Sequence, residues 1–388
     1  MTKYPSSHLR LWCSFYTGFE MPEIRLSATA RVIVSTPDHY LKRLTDYFSE
    51  HGDVSLAARK GRIALPFGTA TIEADDDSLS LRTEGEDETS LAYMKYAIAN
   101  QMLELANEEK PKIVWAGDCA AGGQPPFFRV MRFVSARNIS PHMRRVTLQG
   151  ERLARFARGG LHVHLLFPPR GEDRPQWPVT GEDGRPVWPE GEHKLVSRIY
   201  TIRNIDADAG KVDIDIVIHE GDATPGSDWA LNAREGDLVG MTGPGGGDVT
   251  EADWYLLAGD ETALPAIGRI LARLPSRAAA VVRIEVDNPL EEQLLPSVAN
   301  VDLVWLHRNG REAGTTMLLQ DAVKAVQFPT AGKRVFAWAG CEFAAFKDIR
   351  SYLRNERKLE REKHLVVAYW RRGFDGDNAR KQEEKTAA

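Results

Sequence analysis

Hydrophobic and polar positions along this chain follow three different rhythms. The first runs from residue 24 to 109. Residues 28–35 alternate with the period of a half-buried strand. Residues 37–51 place Tyr40, Leu41, Leu44, Tyr47 and Phe48 at the spacing of an amphipathic helix that ends near Gly52. Four short runs follow at 54–58, 62–66, 69–74 and 78–83, separated by turn residues, and 91–104 reads as a second helix. The order β-α-β-β-β-β-α predicts a small α+β domain with both helices on one face. It contains no nucleophile–base pair, metal-ligand spacing or phosphate loop. Residues 110–126, with Ala120-Ala121-Gly122-Gly123-Gln124-Pro125-Pro126, have the composition of a linker.

The second rhythm, over 127–248, is that of an antiparallel β-barrel. Apolar runs at 127–133, 144–149 and 161–167 lead into a Pro/Gly/Glu-rich loop at 168–192, long enough to suggest a function. Residues 212–220 alternate and then turn fully apolar. They run into a turn and a helix start at 221–230, with Ser227 or Asp228 as N-cap. Such an N-terminus offers unpaired backbone N–H groups to a phosphate. Residues 235–244 close the barrel. Gly243-Pro244-Gly245-Gly246-Gly247 lacks the dinucleotide-binding glycine spacing and reads as the connection to the next domain.

In the third stretch, 249–377, apolar strands at 254–258, 279–286, 301–305, 333–339 and 365–370 alternate with helices. The helices are expected after Gly259, near Leu290, over 315–325 and over 342–357. This is the pattern of a doubly wound parallel sheet, which binds ligands at the carboxyl ends of its strands. Gly259-Asp260-Glu261-Thr262 and Trp338-Ala339-Gly340 fall at such ends. The polar residues 378–388 are expected to be a disordered tail.

The chain's 388 residues suit two or three domains. A net charge of −5 gives no case for nucleic acid. No apolar run approaches the length of a membrane span, so no stable membrane insertion is expected. Residues 1–20 make a poor signal peptide, and Met21 is a second candidate start. Cys13, Cys119 and Cys341 are far apart, which argues against disulfides, iron–sulfur clusters and structural zinc and for the reducing cytoplasm. His162 and His164 share a strand face without a suitable third ligand, so no metal site is expected. The basic stretch 347–372 fits a solvated helix with i,i+4 ion pairs, or a rim that attracts an anion.

One motif changes the picture. Arg198-Ile199-Tyr200-Thr201 begins a strand in which Arg198 and Tyr200 share a face opposite Thr201. The arginine fork can neutralise a pyrophosphate, and the tyrosine ring can lie on a flat cofactor. With it come, in order, His219-Glu220-Gly221, Pro225-Gly226-Ser227-Asp228-Trp229-Ala230, Gly259 through Ile267, Trp338-Ala339-Gly340 and Tyr369-Trp370-Arg371-Arg372-Gly373. From about Phe127 to Asp377 the chain resembles the siderophore-interacting protein family, FAD-dependent ferric-siderophore reductases of the ferredoxin-reductase superfamily. The N-terminal stretch resembles a small uncharacterised domain sometimes fused to them. Binding of a partner or substrate, stabilisation and homodimer formation all stay open as its role. Gly226, where the family more often has alanine, leaves backbone approach to a phosphate open. Cys341 replaces a usual small residue.

The resemblance implies FAD held by Arg198, Tyr200, Thr201, Arg203, His219, Ser227, Trp229 and Ala230, with Thr201 beside the flavin N5 as the catalytic residue. Trp177 and Trp188 either anchor the 168–192 loop over the barrel or cover the adenine of FAD. It implies a nicotinamide donor, NADPH in preference with NADH left open, near Asp260, Glu261, Thr262, Ala263, Trp338, Gly340, Tyr369 and Trp370. Arg308 is the candidate for a 2′-phosphate, whereas Glu285 and Asp287 favour a bare ribose. An anionic ferric siderophore would land on Lys194, Arg203, Arg371 or Arg372. A flavin reductase with a protein acceptor and a non-catalytic siderophore-handling protein are the alternatives.

Overall fold

The computed structural model describes residues 25–172, 174–218, 224–247, 249–329 and 332–374. His219 to Gly221, the 378–388 tail and both candidate starts lie outside the described residues. The chain forms two compact units. One comprises the chain up to Arg129 together with Pro168–Leu195; the other comprises Val130–Phe167 and the chain from Val196 onward.

The first unit begins with β1 (Leu26–Ile33), α1 (Pro37–Phe48), β2 (Asp53–Ala57), β3 (Lys60–Leu65), β4 (Gly68–Ala74), β5 (Ser78–Gly85), α2 (Glu88–Leu105) and β6 (Ala116–Gly117). The strands pair in the antiparallel order β2-β3-β4-β5-β1-β6. Leu41, Leu44 and Phe48 of α1 and Leu91, Met94, Ile98 and Met102 of α2 share one core with Val32, Ile63, Ile72 and Leu79. Asp87 caps α2 by accepting the Ser90 N–H at 2.7 Å, which satisfies one of the helix's orphan donors.

The barrel takes β7 (Phe128–Ser140), β8 (Met143–Gln149) and β9 (His162–Phe167). The chain then leaves for the 168–195 insertion, with its hairpin of β10 (Val179–Thr180) and β11 (Pro186–Val187). It returns as β12 (Val196–Asp206), β13 (Lys211–Val217), α3 (Pro225–Asn232) and β14 (Leu238–Gly245), and closes in the order β12-β13-β8-β7-β14-β9. Gly243, Pro244 and Gly245 are thus the end of the last barrel strand, not a free connection.

The insertion is bound into the N-terminal unit. Trp115 donates its backbone N–H to Glu182 at 3.0 Å and its indole N–H to Asp183 at 2.9 Å. Thr180 exchanges backbone hydrogen bonds with Gly122 and Gly123. Trp177 packs on Phe128 with ring centroids 5.6 Å apart. The segment read as a linker is therefore half of a docking surface. These contacts tie the long loop to the chain that precedes the barrel.

The last domain carries β15 (Trp254–Gly259), α4 (Leu264–Arg273), β16 (Ala279–Val286), β17 (Asn300–His307), α5 (Leu318–Lys324), β18 (Val335–Glu342), α6 (Phe343–Ser351) and β19 (His364–Trp370). Its strands are all parallel, in the order β17-β16-β15-β18-β19. The helix expected near Leu290 is a single 3-10 turn, Pro289–Glu291, and α6 passes at Tyr352 into a short π-turn. In the second, the wider turn lets the Tyr352 carbonyl accept from the Arg357 N–H.

Candidate active site

Two buried side chains that no periodicity announces hold the barrel against the sheet domain. Arg269 of α4 is 4% exposed and donates to the carbonyls of Leu161, Ile202 and Phe156 at 3.2–3.3 Å. Glu291 accepts the Ser140 hydroxyl at 2.5 Å and bonds the His142 ring at 2.7 Å. An arginine at the centre of an apolar helix stripe was the one signal for the first.

The strand β12 distributes its motif over two faces. Tyr200 lies edge-on to Phe167 at 6.3 Å, and its hydroxyl sits against Gly226 at the start of α3. A Cβ at 226 would stand 1.7 Å from that oxygen, so the close approach requires glycine. Here glycine does more than leave room for a phosphate. Burial pushes the Tyr200 phenol up, against a weaker opposing effect of Arg198. Arg198 donates to the Ser197 carbonyl at 2.8 Å.

The N-cap of α3 is Thr224, one turn earlier than Ser227 or Asp228, with Pro225 at the first helical position. Ser227 is 1% exposed, and its hydroxyl has no hydrogen-bond partner among the described residues. A buried hydroxyl left unpaired costs about 1–3 kcal/mol. Beside a helix N-terminus it fits a phosphate oxygen. Trp229 packs on Phe133 and Phe167 at 5.6 and 5.3 Å, and Ala230 is fully buried, its carbonyl accepting from Arg144 at 2.8 Å. Tyr200, Gly226 and Ser227 therefore fit FAD, while Trp229 and Ala230 build the wall behind them.

On the opposite face Thr201 is 4% exposed and hydrogen-bonds Tyr369 of β19. Tyr369 also bonds His162. Burial and the nearby Arg269 push the His162 imidazole down to about 4, so the ring is neutral. The neutral ring and the phenol share one hydrogen bond whose direction is set by the tautomer, and the same phenol bonds Thr201. His162 is a link in this chain and His164 bonds Ser197 at 3.0 Å; no metal-binding group occurs among the described residues. Arg203 lies inside the junction, 3.9 Å from Asp215 and against Gly268.

At the carboxyl ends of the parallel strands a charged cluster gathers. Asp260 ends β15 and accepts from the Trp370 indole at 2.8 Å, the Glu342 N–H at 3.1 Å and the Thr262 N–H at 3.0 Å. Burial and the adjacent Glu261 push its carboxyl up to about 6. Arg308 is 6% exposed and grips Glu261 through two hydrogen bonds of 2.6 and 3.0 Å, with Glu285 at 3.7 Å. Glu285 accepts from Thr316 at 3.0 Å. The guanidinium expected for a 2′-phosphate is thus occupied by carboxylates.

Ala263 and Trp338 are fully buried. A Cβ on Gly340 would press on Trp338 and Tyr369 at 3.0 Å, so this glycine serves ring packing. Of the expected landing residues, Arg371 stacks over Phe343 and Phe374 at 4.8 and 4.1 Å, and Arg372 reaches Glu312 at 3.3 Å. Lys194 is exposed and belongs to the other unit. In the basic stretch, Lys347, Arg350 and Arg357 lie over Phe343, Phe346 and Phe328. Cation–π contacts hold these three, while Lys363 pairs with Glu360 at 2.8 Å.

Three family profiles match the chain: a siderophore-interacting FAD-binding domain over residues 132–248, siderophore-interacting protein over 252–373, and an uncharacterised protein conserved in bacteria over 29–116. Ferric vibriobactin reductase of Vibrio cholerae is 35% identical over 249 residues, 63% of this chain and 90% of that protein. A siderophore utilization protein from T. fusca is 37% identical and superposes with a TM-score of 0.54, covering 66% of this chain and 97% of that one. The siderophore-interacting protein SipS from Aeromonas hydrophila is 26% identical, with a TM-score of 0.57, over 67% and 98% of the two chains. With a relative this similar matched over nine-tenths of its length, the chain belongs to the siderophore-interacting protein family.

Proposed function

We propose that this protein is an FAD-dependent ferric-siderophore reductase of the cytoplasm, and that it draws electrons from NADH in preference to NADPH. The observation that carries the reading is the strand β12 with the start of α3. On one face of that strand Tyr200 sits against Gly226, next to a Ser227 hydroxyl that has no partner among the described residues, and on the other face Thr201 bonds Tyr369 of the sheet domain. FAD bound there would supply the chemistry of accepting two electrons together and passing them on singly. The side chains orient and exclude water. Tyr200 offers an apolar face, α3 offers N–H groups and a hydroxyl, and Thr201 fixes one edge.

The substrate is Fe(III) held by an oxygen-rich chelator. One-electron reduction gives Fe(II), which hard oxygen donors hold less tightly, so the iron is released without breaking a bond of the chelator. That demands no nucleophile or general base. One nicotinamide, giving two electrons, serves two ferric chelates. The preference for NADH rests on Arg308, whose charge is already shared by Glu261 and Glu285. Carboxylates at the end of β16 suit ribose hydroxyls and repel a 2′-phosphate. Cys119 and Cys341 are free thiols, which suits a reducing compartment, and no helix among the described residues is long and apolar enough to cross a membrane.

Anaerobic stopped-flow on the FAD-loaded protein tests the reading. Reduction by NADH should outpace that by NADPH by at least about tenfold in kcat/KM, a difference of ~1.4 kcal/mol. Mixing the reduced protein with a ferric catecholate or hydroxamate should reoxidise the flavin in step with capture of Fe(II) by a chelating dye. Reduction without reoxidation by any ferric chelate would point to a protein acceptor. Failure to bind FAD would leave only siderophore handling without turnover.

A further inference from the structure

The N-terminal unit contains a cavity that the reductase reading does not use. It has a volume of about 260 Å³ and lies among α2, the 116–126 segment and the insertion hairpin. Its lining includes Leu26, Ala92, Lys95, Cys119, Gln124 and Thr180. Lys95 is the unusual member. It is 2% exposed, although lysines are almost never fully buried unless paired. Its stem is covered by the hairpin: a Cβ added to Gly184 would stand 3.0 Å from the Lys95 Cβ.

The ammonium is incompletely matched. It donates to the Cys119 carbonyl at 2.6 Å and approaches the Asp118 carbonyl at 3.5 Å. Three N–H donors set against two carbonyls leave one for an occupant of the cavity. Among the described residues no carboxylate forms an ion pair with it; the Asp118 side chain is engaged by the Ser27 N–H at 2.8 Å. Burial holds the Lys95 ammonium below its usual range. The Asp118 carboxylate acts on the ammonium only through space, and an anion arriving beside it would take up the remaining N–H donor.

Charge and size limit the anion. Glu88 and Asp118 also line the cavity, so one cation faces two carboxylates. An added negative charge meets those carboxylates as well as Lys95, so one charge placed against the ammonium is tolerated better than the two of a phosphate. Leu26, Ala92 and Pro126 supply an apolar wall. The volume lies just below the range of about 300–1,000 Å³ that drug-sized ligands fill, so the occupant is compact. We propose that this cavity binds a compact monocarboxylate, with one ring or a short chain, whose carboxylate pairs with Lys95 and whose body lies on Leu26 and Ala92.

The test uses the full chain and three probes: benzoate, butyrate and inorganic phosphate, by calorimetry and ligand-observed NMR. Saturable one-to-one binding of benzoate or butyrate is expected with Kd below about 1 mM. Lys95→Met should weaken it at least tenfold. Because that change could loosen the hairpin, Ala92→Leu gives a second arm, which fills the cavity, keeps the ammonium and should also abolish binding. No saturable binding of either carboxylate to the wild type, affinity unchanged in both variants, or phosphate binding as tightly as benzoate would each overturn the proposal. None of these readouts involves FAD or nicotinamide, so the outcome is independent of the reductase reading.

Discussion

The two polar clusters of the larger unit contain similar residue types but are finished differently. At the carboxyl ends of the parallel strands the buried charges have partners: Arg308 with Glu261 and Glu285, Asp260 with Trp370, Thr262 and the Glu342 N–H. At the start of α3 the Ser227 hydroxyl is buried with nothing to bond among the described residues, and Tyr200 is held by a fit against Gly226. Paired charges contribute stability and shape, although the Gln320 Oε1 beside them has no partner among the described residues. An unpaired hydroxyl has bonding capacity in reserve for a ligand. The contrast separates residues whose charges are paired within the sheet domain from a hydroxyl with bonding capacity left over.

The sharpest way to break this comparison is to remove the cation from the paired cluster. Arg308→Met leaves Glu261 and Glu285 buried and facing one another. Loss of one partner of a buried ion pair costs about 3–5 kcal/mol, so thermal unfolding should move down by many degrees with either nicotinamide present. Arg308→Met/Glu261→Leu should recover most of the loss. An Arg308 that served a 2′-phosphate would behave otherwise, with stability kept and NADPH affinity alone impaired.

Arg308 also marks the limit of what the sequence discloses. The fold was legible because its period-2 and period-3.6 patterns are strong: the strands β1 to β5 with α1 and α2, and the five parallel strands, follow from alternation and turn residues. The motif strand with Tyr200 and Thr201 was legible from local order. Partnerships between segments distant in sequence were not. Nothing near Arg308 announces that Glu261, 47 residues earlier, will neutralise it. Lys95 looks like an ordinary helix-surface cation until the hairpin covers it, and nothing near Arg269 in its apolar stripe announces that the Leu161, Ile202 and Phe156 carbonyls will take its donors. The 168–192 loop read as part of the barrel because it interrupts the barrel in sequence, yet its hydrogen bonds run to Trp115, Gly122 and Gly123.

A second way to sharpen the comparison is pH, because Asp260 of the paired cluster and His162, which bonds Tyr369 between barrel and sheet, titrate in opposite senses. The Asp260 carboxyl, raised by burial and Glu261 from 3.8 to about 6, binds its proton more tightly in the folded protein. It therefore stabilises the fold below pH ~4 and loses that contribution, about 3 kcal/mol, as pH rises through 6. The His162 ring, lowered by burial and Arg269 from 6.5 to about 4, does the reverse. Its contribution, also about 3 kcal/mol, is complete above pH ~6.5 and is lost as pH falls through 4. In the wild type the two offset one another between pH 4 and 6. Denaturant unfolding across that window should show stability rising with pH in Asp260→Asn and falling with pH in His162→Gln. Parallel slopes in the two variants would contradict the assignment.

The smallest expected effect bears most directly on which cluster awaits a ligand. Ser227→Ala removes a buried hydroxyl that makes no bond among the described residues, so the apo protein should be unchanged or more stable, by up to about 1 kcal/mol. If the hydroxyl meets a phosphate oxygen of FAD, the same change should weaken FAD binding about tenfold, ~1.4 kcal/mol. The expected signature is thus opposite in sign for the free and the loaded protein, and flavin fluorescence titration beside thermal unfolding reads both. A hydroxyl that only filled space would leave affinity unchanged. One that was part of the core would lower stability with or without FAD. Thr262 provides the control from the paired cluster: its hydroxyl is bonded to Asp260, so Thr262→Val should destabilise the free protein and leave FAD affinity alone.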